Sequence, residues 1–501
     1  MKRIKPILPA ISIFCLALFV RVLYNLTVAR HYTPLHDSLF YYTIGLHTLD
    51  EHCFCLQPYL PTIYRPPLWP AIIAAIVGLL GQHDFLPRYF LCFVGSGTCV
   101  LIYLFARDLF GWRIGLVAGA FAAIYPNLYI YDGWLYTESL YTFLLLAFCY
   151  AVYKLQRNPK RSRWIWCGVL LGLIALVRPN GLTILGLFIV WAVLMGWAKI
   201  ISWRILAKAT LVITLLTVLF VAPWTIRNYN VSHAFVPVAT NEGSVLLGAY
   251  NSMSVSFPSY PGGFLGSWIN PLASSPAIAN KFPKNCAAPC EVAREGYFEN
   301  QAIQWIKNNI HIMPHLLKLH LINMWQPNTV EADLPTVRFA NQRSTQLVLA
   351  MMNPFSIFVF IMAVLGLAVT YRRWRELLFI YLVILMTVAE NIVFYGIPRF
   401  RAPIEPMLIL LMAGAIWWLT HRDTGTLRWL LGRPRDTKQV AEEKTNTAEV
   451  SSPSVNRSAK FSRAFSCWRF RLSNDSVQKA QPVWLAKMEM QLVIPGAGAD
   501  V

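Results

Sequence analysis

Apolar runs of spanning or near-spanning length recur along the first 420 residues, at about 7–28, 67–82, 89–106, 114–131, 134–153, 164–177, 182–198, 206–224, 354–370, 377–395 and 404–420. A bilayer core takes roughly 20 helical residues per crossing and offers no water to exposed backbone N–H and C=O groups, so a chain patterned this way folds as a helical bundle. Composition agrees: 56% hydrophobic and 14% charged residues among 501 leave too little polar surface for a soluble globule of this size. The expected fold class is an all-α polytopic membrane protein of about 10–12 transmembrane helices, with runs 67–82 and 164–177 short for a crossing.

The 44 Lys and Arg against 24 Asp and Glu fall mainly in short loops between runs and in the last eighty residues. That distribution reports topology and anionic lipid; neither a stacking platform nor a zinc-finger spacing points to nucleic acid. Lys154, Arg157, Lys160, Arg161 and Arg163 form one inside loop, Lys199, Arg204 and Lys208 a second, and Arg372, Arg373 and Arg375 a third. Lys2, Arg3 and Lys5 place the start of a retained first span inside as well. Residues 32–69, the turns at 125–138, 178–181 and 395–403, and the stretch 225–353 then fall outside. One parity conflict stands in this arrangement: Arg107 and Arg113 look cytoplasmic, yet two runs separate them from Arg65, so either one run is re-entrant or interfacial, or the charge rule fails at Arg107.

Residues 1–420 thus read as one membrane domain with a first outer loop, 32–69, and a large outer loop, 225–353. Within the latter, 291–325 has helical periodicity suited to the membrane surface. Residues 421–501 lose apolar patterning and read as a basic, disordered cytoplasmic tail. Cys53, Cys55, Cys286 and Cys290 lie in outer segments, where an oxidising compartment would permit disulfides and a four-ligand metal site is the competing reading. No internal repeat of the kind that builds two-halved transporters is visible.

Several ionisable residues converge at one outer level: Asp37, Arg65, Glu138, Arg178, Arg227, Arg399 and Arg401. Asp37 opens a helical pattern and is either an N-terminal cap or a catalytic carboxylate. Arg65 is held by Pro66-Pro67, and its planar fork of donors suits a phosphate ester, although an arginine at that depth can simply snorkel to headgroups. Glu138, beside Tyr136, Thr137 and Ser139, is a helix-end acid or a second active-site acid. Asp132 sits with Gly133, where a turn residue is expected. Glu405 stands one helical turn after Arg401, at ion-pair spacing. Arg227, Arg399 and Arg401 lie outside against the usual bias of arginine, which fits either lipid headgroups or an anion site. His36 has no second ligand at metal spacing, and no metal-ligand set emerges from the motifs.

The ordered motifs His36-Asp37-Ser38-x-x-Tyr41, Tyr64-Arg65-Pro66-Pro67-Leu68-x-Pro70, Arg107 to Gly111, Tyr125-Pro126 with Thr137-Glu138, Leu176 to Pro179, Ala222 to Tyr229 and Arg399 to Pro403 spread over about residues 15–420. In these the chain resembles the GT-C superfamily of membrane glycosyltransferases. The resemblance is to the bacterial family 39 branch, related to protein mannosyltransferases, the lipid A aminoarabinose transferase and rhizobial lipopolysaccharide core transferases. It implies a GT-C-type bundle that transfers a sugar, with inversion, from a polyprenyl-phosphate-linked donor. The acceptor would be an envelope glycan, lipid or protein on the outer face of the inner (cytoplasmic) membrane. By position Asp37 matches the first-loop catalytic acid, Arg65 the donor-phosphate residue and Glu138 the second-loop acid; some of Arg178, Arg227, Arg399 and Arg401 are expected to help Arg65 bind the phosphate. Ser38 stands where many members have Glu, and Tyr64 where some have an acid; the latter departure argues against a divalent metal cofactor.

On this reading Asp37 is the general base toward the acceptor hydroxyl or amine, and the arginines hold the departing phosphate. The competing classes are an O-antigen ligase or polymerase using a diphosphate-linked glycan, and a lipid-carrier flippase or transporter. A nucleotide-sugar enzyme is disfavoured, because no cytoplasmic segment before the tail is long enough for a Rossmann-type domain and no Gly-rich phosphate loop is present.

Overall fold

In the computed structural model the described residues are 7–257, 265–274, 280–283, 286–327 and 342–421. The expected tail, 421–501, and the basic start at residues 2–5 lie almost wholly outside them. The helices are α1 (Ile7–Leu26), α2 (Asp37–Asp50), α3 (Leu68–Leu80), α4 (Phe85–Phe110), α5 (Trp112–Ile124), α6 (Pro126–Tyr129), α7 (Glu138–Arg157), α8 (Arg161–Val177), α9 (Gly181–Trp197) and α10 (Trp203–Ser232). They continue with α11 (Glu242–Ala249), α12 (Ser252–Ser256), α13 (Pro271–Ser274), α14 (Ala288–Asn308), α15 (Met313–Met324), α16 (Gln342–Thr370), α17 (Trp374–Val393), α18 (Pro398–Arg401) and α19 (Glu405–Thr420). Strands β1 (Cys55–Gln57) and β2 (Leu60–Pro61) form one short antiparallel hairpin inside the first outer loop.

Among the described residues six helical stretches, 7–26, 85–110, 138–157, 203–232, 350–393 and 398–420, are long and apolar enough to cross a membrane, and the bent pair 112–124 with 126–133 would make a seventh. The chain is an integral membrane protein. Burial separates inner from outer spans: 78% of the apolar window in 398–420 and 72% in 138–157 is enclosed, against 22% in 7–26 and 28% in 203–232. The last two therefore face lipid, and the first two form the centre. Close helix approach relies on small residues. A Cβ on Gly366 would sit 1.9 Å from the Leu411 carbonyl oxygen, so α16 and α19 touch through that glycine.

The parity conflict at Arg107 resolves in α3. Thirteen residues rise about 20 Å, short of the roughly 30 Å hydrocarbon core, whereas the 26 residues of α4 suffice. With α3 not crossing, Arg65 and the start of α4 share one side and Arg107 falls on the other, as the charge rule expects. The break between α5 and α6, bent by 65°, occurs at Tyr125-Pro126, where proline removes a helix donor and disfavours helical geometry before it.

The large outer segment carries α11 to α15, with α14 and α15 covering the periodic stretch 291–325. Cys53 is bonded to Cys55 and Cys286 to Cys290, so each outer cysteine pair closes on itself.

Candidate functional site

Residue 36 fixes the entry to the site. His36 holds φ at 46°, a left-handed value unusual for a side-chain-bearing residue, and the chain turns there into α2 with Asp37 as its first helical residue. Asp37 does not cap the helix. One carboxylate oxygen accepts from Arg65 Nη2, and the other accepts from Arg399 Nη2 at 2.8 Å. Arg399 also donates through Nε to Glu138 Oε1 at 2.5 Å, and Arg178 Nη2 donates to the same oxygen at 2.6 Å. Arg178 Nε further donates to Thr137 Oγ1 at 2.9 Å. Five of the seven sequence candidates thus form one chain of charges, Arg65–Asp37–Arg399–Glu138–Arg178, with Arg399 as its centre.

Aromatic rings wall the arginines. Arg65 lies over the rings of Tyr64, Phe40 and Tyr41 at 4.9, 5.2 and 5.4 Å, Arg399 over Tyr136 at 4.0 Å, and Arg178 over Tyr141 at 5.1 Å. These rings leave each guanidinium its edge for hydrogen bonding while covering its faces. Trp69 Nε1 donates to the Leu135 carbonyl at 2.8 Å, tying the first loop to the turn that carries Tyr136 and Glu138. Of the five charged side chains Asp37 is the most exposed, at 26%, and Glu138 is at 0%. The open end of the site is therefore at Asp37, while Glu138 is enclosed between two guanidinium groups.

Burial would push the Asp37 carboxyl up, but the charges and hydrogen bonds of Arg65 and Arg399 outweigh it and hold the group well below the usual carboxylate range. Arg65 is correspondingly pushed up: burial opposes its charge, and Asp37 more than compensates.

Arg227 and Arg401 stand apart from the cluster, so the grouping is narrower than the sequence suggested. Arg227 donates to the carbonyls of Thr62 and Phe54 at 2.7 and 3.2 Å and lies over Trp224 at 4.8 Å, pinning the first loop to α10. Arg401 is buried, donates to Glu405 at 2.7 Å and to the carbonyls of Met324 and Gln326 at 2.5 and 2.8 Å, and so joins the last span to the end of α15. Its ion pair with Glu405 has the expected one-turn spacing.

Other ionisable residues escaped the sequence reading. Arg21 of α1 pairs with Asp132 at 2.6 Å, both side chains fully enclosed, so Asp132 is a buried partner and not a simple turn residue. Glu390 of α17 accepts from Asn180 and Thr183 at 3.2 and 3.1 Å, close behind Arg178. Glu291 and Glu295 of α14 reach the first loop and α11. The available signal was a charge inside an apolar run, which must find a partner there.

A divalent metal does not fit these residues. Both oxygens of Asp37 and one of Glu138 are engaged by guanidinium groups, Tyr64 supplies no carboxylate, and no group of three His, Cys, Asp or Glu converges among the described residues.

Residues 64–226 match the dolichyl-phosphate-mannose-protein mannosyltransferase family. Among solved structures, the Archaeoglobus fulgidus oligosaccharyltransferase tethered with an acceptor peptide is similar over 89% of this chain and 54% of its own, with TM-score 0.50 and 11% identity. ArnT from Cupriavidus metallidurans bound to undecaprenyl phosphate matches over 82% of this chain and 79% of its own, with TM-score 0.36 and 14% identity. Arabinosyltransferase EmbB from Mycobacterium smegmatis matches over 84% and 42%, with TM-score 0.32 and 10% identity. The chain spans about half the length of the archaeal enzyme. No curated protein matches it in sequence.

Proposed function

We propose that the chain is a membrane glycosyltransferase of the GT-C type that transfers a sugar from a polyprenyl-monophosphate donor to a cell-envelope acceptor, a glycolipid, polysaccharide or protein; the family match over residues 64–226 and the likeness in fold support this reading. Transfer takes place on the outer face of the cytoplasmic membrane, with inversion at the anomeric carbon. The observation that carries this reading is the Arg65–Asp37–Arg399–Glu138–Arg178 chain, in which a carboxylate at the open end is flanked by guanidinium groups.

Charge supports a monophosphate. Three guanidinium groups against two carboxylates leave one net positive charge, which matches the single negative charge of a sugar–phosphate–polyprenyl diester. A diphosphate-linked donor, with two charges, would need a further cation.

In the resting arrangement Asp37 is a weak base, because Arg65 and Arg399 stabilise its ionised form. A donor phosphate competes for those same donors. Each guanidinium that turns to the phosphate raises the proton affinity of Asp37, so donor binding primes the base. The acceptor hydroxyl then attacks C1 and gives its proton to Asp37; the new O–C1 bond forms as the C1–O bond to phosphate breaks. The electron pair departs with polyprenyl phosphate, whose growing charge Arg65 and Arg399 hold, with Arg178 behind them. Glu138, enclosed, acts here as the carboxylate that positions Arg399 and Arg178.

The test is mass spectrometry of envelope glycans and lipids from a strain lacking the protein, complemented with wild type or with Asp37→Asn. One sugar should be missing, and only wild type should restore it. Restoration by a folded Asp37→Asn variant would remove Asp37 from the mechanism. An accumulated lipid-linked oligosaccharide on diphosphate would indicate the ligase chemistry instead.

A further inference from the structure

The strap of residues 62–65 is tied at almost every polar atom to the large outer segment or the span before it. Thr62 O accepts from Arg227, and Ile63 O accepts from Thr240 N at 3.0 Å. Ile63 N donates to Glu291 Oε2 at 2.8 Å, and the Thr62 hydroxyl donates to Glu291 Oε1 at 2.5 Å while accepting from Tyr64 N at 3.1 Å. Arg65 follows directly, and Pro66-Pro67 beyond it have no N–H to offer. Glu291 is buried, at 2% exposure, in the first turn of α14, beside the Cys286–Cys290 disulfide.

Two further residues on the same face of α14 fix the helix, Glu295 against α11 and Arg294 against the strap. Glu295, one turn on, accepts from both the backbone N and the hydroxyl of Ser244 at 2.6 Å. Arg294 lies over the Tyr64 ring at 5.4 Å, and Tyr64 in turn lies under Arg65. A buried carboxylate is costly unless its hydrogen bonds repay it, and packing alone would be served by leucine. Here both oxygens of Glu291 are spent on Thr62 and Ile63, three and two residues before Arg65.

We propose that Glu291 is a positioning residue for Arg65, by which the large outer segment sets the geometry of the donor-phosphate site. This rests on the functional reading above. The prediction is that Glu291 acts on phosphate affinity and only through Arg65.

The experiment measures binding of undecaprenyl phosphate to the full-length protein in nanodiscs, with thermal midpoints recorded on the same samples. Glu291→Leu leaves Ile63 N and the Thr62 hydroxyl without their acceptor and should weaken binding about tenfold. Arg65→Gln should weaken it at least as much, and the double variant should bind no worse than Arg65→Gln alone, since one effect runs through the other. Glu291→Gln, which keeps one acceptor, and Thr62→Val should each fall in between, and they carry the test if Glu291→Leu does not fold. A merely structural role would lower the midpoint and leave affinity unchanged, and additive losses in the double variant would equally overturn the proposal. If wild type and Arg65→Gln bind alike, the functional reading fails; if only the Glu291 and Thr62 variants bind like wild type, this inference fails alone.

Discussion

Arg399 is the side chain on which the site turns, and Arg399→Lys isolates what its shape contributes. The guanidinium reaches Asp37 through Nη2 at 2.8 Å and Glu138 through Nε at 2.5 Å, while its face covers Tyr136 at 4.0 Å. Lysine preserves the net charge of the cluster but brings one nitrogen, which can bond one carboxylate and not both in this geometry. The variant therefore loses one charge-assisted hydrogen bond of about 1.5–3 kcal/mol. The weaker stacking on Tyr136 costs up to about 1 kcal/mol more. Arg65 still holds Asp37 and Arg178 still holds Glu138, so the bundle should fold, with a modest fall in thermal midpoint. Turnover is a different matter, because in the proposed transfer the fork also meets charge that grows on the leaving phosphate; loss of such a donor typically costs about 10²–10³ in rate. The assay measures transfer rate, undecaprenyl phosphate affinity and midpoint on one preparation. The expected result is near-normal affinity with turnover down by about 10². Arg399→Gln, which also removes the charge, should lose affinity as well. Wild-type turnover in the lysine variant would refute a role for the fork.

Two other perturbations separate the site from its surroundings. Because Arg65 and Arg399 depress the Asp37 carboxyl below its ordinary value of 3.8, Asp37 is ionised in the resting state at any working pH. The stability it contributes is fully present above that value and is lost only as pH falls further, through the depressed folded-state value. Thermal midpoints of wild type and Asp37→Asn should accordingly differ by a constant amount from about pH 5 to 8 and converge only in stronger acid; a gap that closes near pH 5 would show that the carboxyl is not held down. Arg401→Lys should lower the midpoint, since it strands carbonyls of Met324 and Gln326 that the guanidinium now satisfies, and should leave undecaprenyl phosphate affinity in the folded fraction unchanged. An affinity loss would return Arg401 to the phosphate site.

The apolar helices were legible because lipid allows the backbone so few solutions, and run length and prolines suffice to mark them; which runs cross was less so, with six or seven candidate spans among the described residues where about 10–12 were expected. The parity conflict at Arg107 was legible too, but its resolution was not, since 67–82 is equally apolar whether or not it crosses; the helix is ended early by Gly81, at φ 98°. Convergence of Asp37, Arg65, Glu138, Arg178 and Arg399 followed from placing motifs on one side of the membrane. The Arg21–Asp132 pair was hidden because a DG dipeptide reads as a turn on local grounds, and burial of that turn against α1 is a tertiary fact. Glu291 lay in a segment whose pattern says helix and nothing about what the helix holds.

The seven outer candidates share chemistry and side, yet they divide by what each one's neighbours already offer. Arg227 and Arg401 sit against backbone carbonyls, at 54 and 62 and at 324 and 326, and a guanidinium placed there is consumed by structure. Arg65, Arg178 and Arg399 instead meet carboxylates that they share, Arg399 with both and the others with one each. Shared carboxylates are exchangeable partners: an incoming phosphate can replace one without exposing a buried carbonyl, because the displaced carboxylate keeps a second guanidinium or gains a proton. The same argument gives the proposed mechanism its order of events. Asp37 is the exposed member, so in the proposed mechanism its arginines are the first a phosphate reaches, and their departure would turn a clamped, weakly basic carboxylate into a base once the donor is in place.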